Sequence, residues 1–469
     1  MSKDKSKKTK ELSIPGRGRT NAIMNLANIT DAADGQIFPA VYKNVQDEFA
    51  ARTPSQTLGF ASLGLITASR SILQSVSTPL WGWWSDRHSR KKILAIGCWF
   101  WAIFTMLTAL SVGYVDMLLW RTVTGIGLAA IIPTTGSLVT DYFSPEKRGR
   151  AFGVLGLTGG MGALIGTLFM TLSIPEDPHV LIYGMVGWRF GFIVVAIATV
   201  IIGVLVWALV KDPLRGGLEP ELTKILTAQK AERYKVKRSD YIKILKKRTF
   251  VMIMLQGVAG TIPWSGSILW MIAWFEIIGF SAPVAGIMFL FLAIGGSTGV
   301  AFGGWIGDRA ARWRPNSGRI IVAQISVLTG IILSFVIFML IPRTTDSFSL
   351  YTLFGFIMGL LITWAGPANN AIFSEIFEPE IRGSVFSVDR VFEGSVGAAG
   401  TLLVGLFADY LLTSGAPNAA TALGNSMFAI AVIPWIACLI LYSLVYKSYP
   451  KDKATLRQTM ENRRKELEK

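Results

Sequence analysis

The sequence predicts an all-α polytopic membrane protein, with twelve transmembrane helices in two pseudo-symmetric six-helix bundles. Three observations predict it. The 469 residues are 51% hydrophobic and only 16% charged, with a mean hydropathy of +0.47, whereas a soluble globular chain carries about a quarter charged residues. Apolar runs long enough to cross a bilayer, roughly 20 residues, recur from end to end. Two stretches of the first half also return in the second.

The runs fall at 21–46, 57–83, 93–112, 116–140, 149–172, 186–210, 249–278, 282–304, 320–341, 348–374, 383–411 and 422–446. They divide the chain into a basic N-terminal segment (1–20), a first bundle (21–210), a linker (211–248), a second bundle (249–446) and a tail (447–469). If 1–20, the tail and every even-to-odd loop share one side, that side holds 39 of the 46 Lys and Arg. This bias places both termini in the cytosol, most simply at the cell (inner) membrane. The net charge of +16 is then topological, an attraction to the lipid bilayer rather than to nucleic acid. The linker has 12 Lys and Arg against 5 Asp and Glu, and its central part reads as a surface helix. The two cysteines, Cys98 and Cys438, lie inside spans and read as buried apolar groups. With two histidines on opposite sides, no metal site and no cofactor are expected.

The repeat is specific. "GWWSDRHSR" at 82–90 returns as "GWIGDRAAR" at 304–312, pairing Asp86, Arg87 and Arg90 with Asp308, Arg309 and Arg312. "PTTGSLVTDYFSPEKRGRAFG" at 133–153 aligns without a gap to "PANNAIFSEIFEPEIRGSVFS" at 367–387, pairing Pro133 with Pro367, Asp141 with Glu375 and Arg148 with Arg382. Parallel repeats of this kind place a solute path at their interface, near the bilayer midplane. "GIGLAA" at 125–130 also fits a dinucleotide pattern, but no strand precedes it. Gly-rich "GVLGLTGGMGALIG" at 153–166 reads as close helix packing.

Across essentially its whole length the chain resembles the major facilitator superfamily. "GWWSDRHSRKK" resembles that family's loop motif between the second and third helices, "RTVTGIG" at 121–127 its fourth-helix pattern, and "SPEKRGRAFG" its turn into the fifth. "NITDAADG" at 28–35 resembles the Asn-x-x-Asp of Spinster-like lipid transporters, although Ala32 stands where an Asp-Arg pair is usual. The resemblance implies that Asp86 latches the inner gate against the start of the eleventh helix beside Arg382. The symmetric contact would set Asp308 against the fifth helix near Arg148. Arg87, Arg90 and Arg309 belong to the same gate. A carboxylate is favoured at a helix N-terminus by its partial positive charge.

Charges inside the spans are the remaining signal. Asn21, Asn25, Asn28, Asp31 and Asp34 form one stripe on the first span, and Thr67, Arg70, Gln74 and Ser77 another on the second. The fourth carries Arg121 nearer its outer end, and the eleventh carries Asp389, Arg390 and Glu393. A charge facing lipid at mid-membrane costs about 2.5–3.5 kcal/mol on insertion scales, so these groups face one another or a wet cavity. Expected pairs are Asp31 or Asp34 with Arg70, and Arg390 with Glu393. Asp34 is the first choice for a titrating carboxylate, because Gly35 leaves room beside it, and Asp31 is the reserve. Asn28, Trp264, Trp364, Asn369 and Asn370 are expected to line the cavity, with Trp270 and Trp274 as further wall candidates. Pro263 is expected to break the seventh span.

The function these features predict is a monomeric secondary active transporter. It would move a small organic or amphipathic solute by alternating access, coupled to protons, and an enzyme is not expected, since no nucleophile–base–orienter set appears. Two alternatives stand beside it: an uncoupled uniporter or lysolipid flippase of Spinster type, and a receptor or scaffold that binds without moving its ligand.

Overall fold

The computed structural model describes residues 16–52, 58–85, 88–142, 145–173, 184–212, 244–378 and 381–467. Twelve spans follow in order. The first, α1, is Arg17–Ile37, carried on through a turn at Pro39–Val41 into the helix Tyr42–Arg52, and α2 is Phe60–Ser85. Then come α3 (Arg90–Ala109), α4 (Tyr114–Val139), α5 (Val154–Leu172), α6 (Gly187–Leu209), α7 (Arg248–Ile278), α8 (Ala282–Trp313), α9 (Gly318–Leu340), α10 (Thr345–Ile376), α11 (Val388–Thr413) and α12 (Ala419–Thr459). These last ten are long and apolar enough to cross a membrane by composition alone. The polar stripe of α1 and the Ser, Thr and Arg content of α2 keep those two below that level; packing inside the bundle shields the polar groups instead.

Prolines set the breaks. Pro133 and Pro367, partners in the repeat, each deny a helical bond to the carbonyl four residues earlier. The helix stops at Leu128 and resumes at Ile131 in α4, and stops at Ile362 and resumes at Ala365 in α10. The two halves are therefore bent at equivalent places. Pro263 ends the first part of α7, and a π-helical turn at Trp264–Ile268 follows before the helix resumes at Leu269. The break expected in the seventh span is thus a widened turn in a continuous helix.

Within the halves α1 packs on α5, α3 on α6, α8 on α10 and α7 on α12; between them α2 meets α11, α5 meets α8, and the end of α1 meets α7. The Gly-rich run makes the α1–α5 seam, since a Cβ at Gly162 or Gly166 would strike the backbone of Ile29 or Ala33. In α4, a Cβ at Gly125 would strike the carbonyl of Arg70, and one at Gly127 would strike Trp101. The Arg-x-x-x-Gly-x-Gly pattern thus brings α4 against α2 and α3 together. Leu80, Val115, Ile132, Leu157, Ile201 and Ile433 project outward, as an apolar belt against lipid requires.

Two boundaries differ from the sequence reading. The helix of α12 does not stop at 446 but runs from Ala419 to Leu467. Tertiary contacts hold the extension: Asp452 accepts a bond from the Thr249 amide at 3.3 Å, and Lys453 reaches Glu375 at 2.6 Å. The surface helix expected in the linker falls at 213–243, outside the described residues.

Gly125→Ala is expected to destabilise the purified protein by about 1–3 kcal/mol, the cost of overpacking a filled contact. Gly156→Ala is the control, because a Cβ there meets nothing within 4 Å. Thermal unfolding of the two variants in detergent checks this, with a fall in midpoint expected for Gly125→Ala alone.

Candidate functional site

The first half is organised around Asp34, whose side chain is 0% exposed. Arg121 Nη1 donates to both of its carboxylate oxygens at 3.2 Å, and Nη2 donates to its backbone carbonyl at 3.2 Å. Thr105 donates to Oδ1 at 3.3 Å, and Arg70 Nε lies 3.5 Å from Oδ2. One carboxylate therefore ties α1 to α2, α3 and α4. The Arg121 guanidinium sits 5.3 Å from the Phe192 ring centroid and 5.8 Å from that of Phe38. Beside it the hydroxyls of Tyr42 and Thr67 bond to each other.

The expected pair of Asp34 with Arg70 forms, and Arg121, which was not expected there, holds the same carboxylate more closely. Beside Gly35, Arg70 Nη2 stands 3.6 Å from where a Cβ would be, an ordinary contact distance. Asn28 does not line a cavity freely. It donates to the Leu155 carbonyl at 2.7 Å and to Thr158 at 3.2 Å, and Thr158 donates to Asn25 at 2.8 Å. The asparagine stripe is the polar part of the α1–α5 seam. Asp31, one turn before Asp34, is half-buried and forms no ion pair among the described residues. Gln74 is half-buried one turn beyond Arg70 on α2.

The second half contains a cavity of about 280 Å³. Asp389, Arg390 and Glu393 line it together with Gln256, Asn370 and Trp264. Arg390 stands 3.6 Å from Glu393, with its own side chain 72% exposed. Trp264, at 44% exposed, sits on the π-helical turn, which turns its ring toward Gly296 of α8. Asn369 lines the cavity as expected, with its amide tied down: it donates to Gln256 at 2.7 Å and accepts from Tyr442 at 2.8 Å. Sequence reasoning missed Gln256 and Tyr442, which are single polar groups in apolar runs.

Three tryptophans stand apart from the cavity. Trp270 and Trp274 are fully buried and donate to the carbonyls of Thr401 at 2.9 Å and Ala420 at 2.8 Å, so they pack rather than line. Trp364 is not among the cavity residues; it packs its backbone against Gly303 at the α10 break.

At the face that carries the termini, the gate residues separate. Asp86, Arg87 and the side chains of Arg148 and Arg382 lie outside the described residues. Asp308, 64% exposed, accepts a 2.9 Å bond from Arg319 at the start of α9, which also bonds Glu375 at 3.0 Å. The contact expected for it, near Arg148, falls outside the described side chains. Arg90 is likewise held inside its own half, by Asp212 at 2.9 Å and Ser137 at 3.1 Å. Arg309 is exposed at the end of α8. On the opposite face the halves are joined. The Phe60 and Ala61 amides, at the N-terminus of α2, donate to Asp409 of α11 at 3.0 and 2.9 Å. Tyr42 packs on Trp270 with ring centroids 4.5 Å apart.

Twelve spans in two repeated six-helix halves, each with ionisable groups buried among its helices, define a membrane-transporter fold. The sequence profile of the Major Facilitator Superfamily matches residues 24–335, and the chain belongs to that family. The hexuronate transporter of Bacillus subtilis (strain 168) is 25% identical over 425 residues, spanning 88% of this chain and 93% of that protein. The sphingosine-1-phosphate transporter SPNS2 of Danio rerio is 22% identical over 436 residues, spanning 89% and 81%. In fold, the chain is similar to a bacterial homologue of the human lysosomal transporter Spinster, solved in an inward-facing, unoccupied conformation. The TM-score is 0.78 at 19% identity, covering 94% of this chain and 99% of that one. The chain is a multi-pass membrane transporter of this family and not an enzyme.

Two outcomes follow from this geometry. Arg121→Ala is expected to cost about 3–5 kcal/mol by stranding Asp34 without its main partner. Arg70→Ala should cost less, because its contact is single and longer; thermal unfolding of both in detergent reads the order. Asp409→Asn is expected to weaken the opposite-face contact by about 0.3–1 kcal/mol. Spin labels at Asp47 and Leu412, which border the same surface pocket, should then show a larger population of long distances.

Proposed function

We propose that the protein moves a small organic or amphipathic solute by alternating access, coupled to protons through Asp31. The observation that supports this is the division of labour between two carboxylates one turn apart. Asp34 is consumed by two arginines and a threonine hydroxyl, so its charge is structural. Asp31 is half-buried, without an ion pair among the described residues, and Arg70 and Asp34 are the charges acting on it. Ionisable groups inside a membrane bundle are functional candidates by default. A half-buried carboxylate near a fixed arginine can exchange a proton as the bundle changes access.

The remaining assignments rest on the same reading. The Lys and Arg bias supports cytosolic termini in the cell membrane, and the chain acts as a monomer in the bilayer. The cavity of the second half supplies the solute contacts. The likeness to SPNS2 and to the Spinster homologue favours one second reading, an uncoupled carrier of amphipathic lipid-like solutes. Family membership moves a non-transporting receptor or scaffold behind both.

Uptake into proteoliposomes with and without an imposed pH gradient tests the coupling. A hexuronate and sphingosine-1-phosphate, named for two relatives, serve as first probes. Asp31→Asn is expected to lose gradient-driven accumulation while retaining exchange of solute across the membrane. If Asp31→Asn still concentrates solute in response to the gradient, coupling runs through another group; if the parent protein itself shows no gradient-driven accumulation, the uncoupled reading takes its place.

A further inference from the structure

We infer that the cavity of the second half is a site for an organic ammonium group, held between Asp389, Glu393 and the ring of Trp264. The inference rests on the reading of this cavity as part of the transport path and adds the charge of what it takes.

Three observations carry it. Asp389 is 4% exposed, lines the cavity, and has its Oδ1 buried without a hydrogen-bond partner among the described residues. A buried carboxylate left unpaired is costly unless a cation or a donor is supplied. The first half answers the same problem from within the chain, by giving Asp34 two arginines. Among the described residues the second half holds no equivalent of Arg121 beside Asp389, so the missing partner is one that arrives and leaves.

Second, the charges of the wall do not cancel. Asp389, Arg390 and Glu393 are its ionisable residues, a formal balance of −1. Arg390 faces Glu393 at 3.6 Å while its side chain is mostly exposed, which leaves Asp389 as the uncompensated group. One monovalent cation neutralises the cavity.

Third, the rest of the wall suits an organic cation. Trp264 and Trp435 both border the space, and the face of a tryptophan attracts an ammonium with about 0.5–2 kcal/mol. Asn370 is exposed on the same wall and offers an amide to a neighbouring hydroxyl or carbonyl of the solute. Asn369 and Gln256 are held to each other and to Tyr442, so the floor beneath the site is preorganised. The cavity, at about 280 Å³, has room for a substituted ammonium and part of the chain that bears it.

The test uses choline and 3,3-dimethylbutan-1-ol, which have the same shape and differ in charge. Binding to the purified full-length protein is followed by titration calorimetry in sodium-containing buffer. Choline is expected to bind at least about tenfold more tightly than the alcohol, a readily measured difference. Asp389→Asn should abolish that preference and Asp389→Glu should retain much of it. Equal binding of the two compounds by the parent protein would mean that Asp389 is neutral and would overturn the inference, without any variant needing to fold. Failure of choline to bind in sodium would also overturn it, since the site would then hold an inorganic cation or none. The measurement needs no transport. Choline binding without uptake of any solute would count against the transport reading alone, and Asp31-dependent uptake without choline binding would count against the ammonium site alone.

Discussion

The structure depends on the burial of Asp34 between Arg121 and Arg70. A carboxylate and two guanidinium groups at mid-membrane could not be left facing lipid, and their mutual attraction offsets the loss of water only where geometry and additional bonds are good. Here the bonds come from four helices at once, with Thr105 of α3 completing the set. The close approach that this needs is made by Gly125, which admits the Arg70 carbonyl of α2. Charge and small residues therefore act as one device: the glycines bring the helices near enough for the ions to meet, and the ions make any looser arrangement costly.

The two halves share a plan and differ in how completely they satisfy it. Paired prolines bend α4 and α10 at equivalent points, and a basic residue opens α3 and α9 in turn, Arg90 with Asp212 and Arg319 with Asp308 and Glu375. In the first half Asp34 is matched by two arginines. In the second, Asp389 is not, and the space beside it is open. A closed half and an open half suit alternating access, because one bundle can serve as a rigid body while the other meets the solute.

On the face away from the termini the halves are joined by specific contacts. Asp409 sits at the N-terminus of α2, where unpaired amides favour a negative charge, and Tyr42 packs on Trp270. A bond of this kind is strong enough to favour one arrangement of the halves and weak enough to be released. The π-helical turn after Pro263 adds a second point at which α7 departs from regular geometry next to the cavity.

The sequence by itself determined the membrane class, the span count, the repeat and the family. All of these follow from local quantities: the length of apolar runs, the placement of Lys and Arg, and motifs of a few residues. It also singled out the buried charges, because an ion in an apolar run is conspicuous wherever it ends up. Only the tertiary structure decided their partners. Asp31 and Asp34 share one helix face, and nothing in their spacing tells which meets Arg121 and which meets water; that depends on the rotation of α1 against α4, set by packing at Gly125, Gly162 and Gly166. Asn28 read as a cavity residue until the neighbouring helix supplied its bonds. Gln256 and Tyr442 gave no signal, since a single polar group in an apolar run acquires meaning only from what the fold places opposite it.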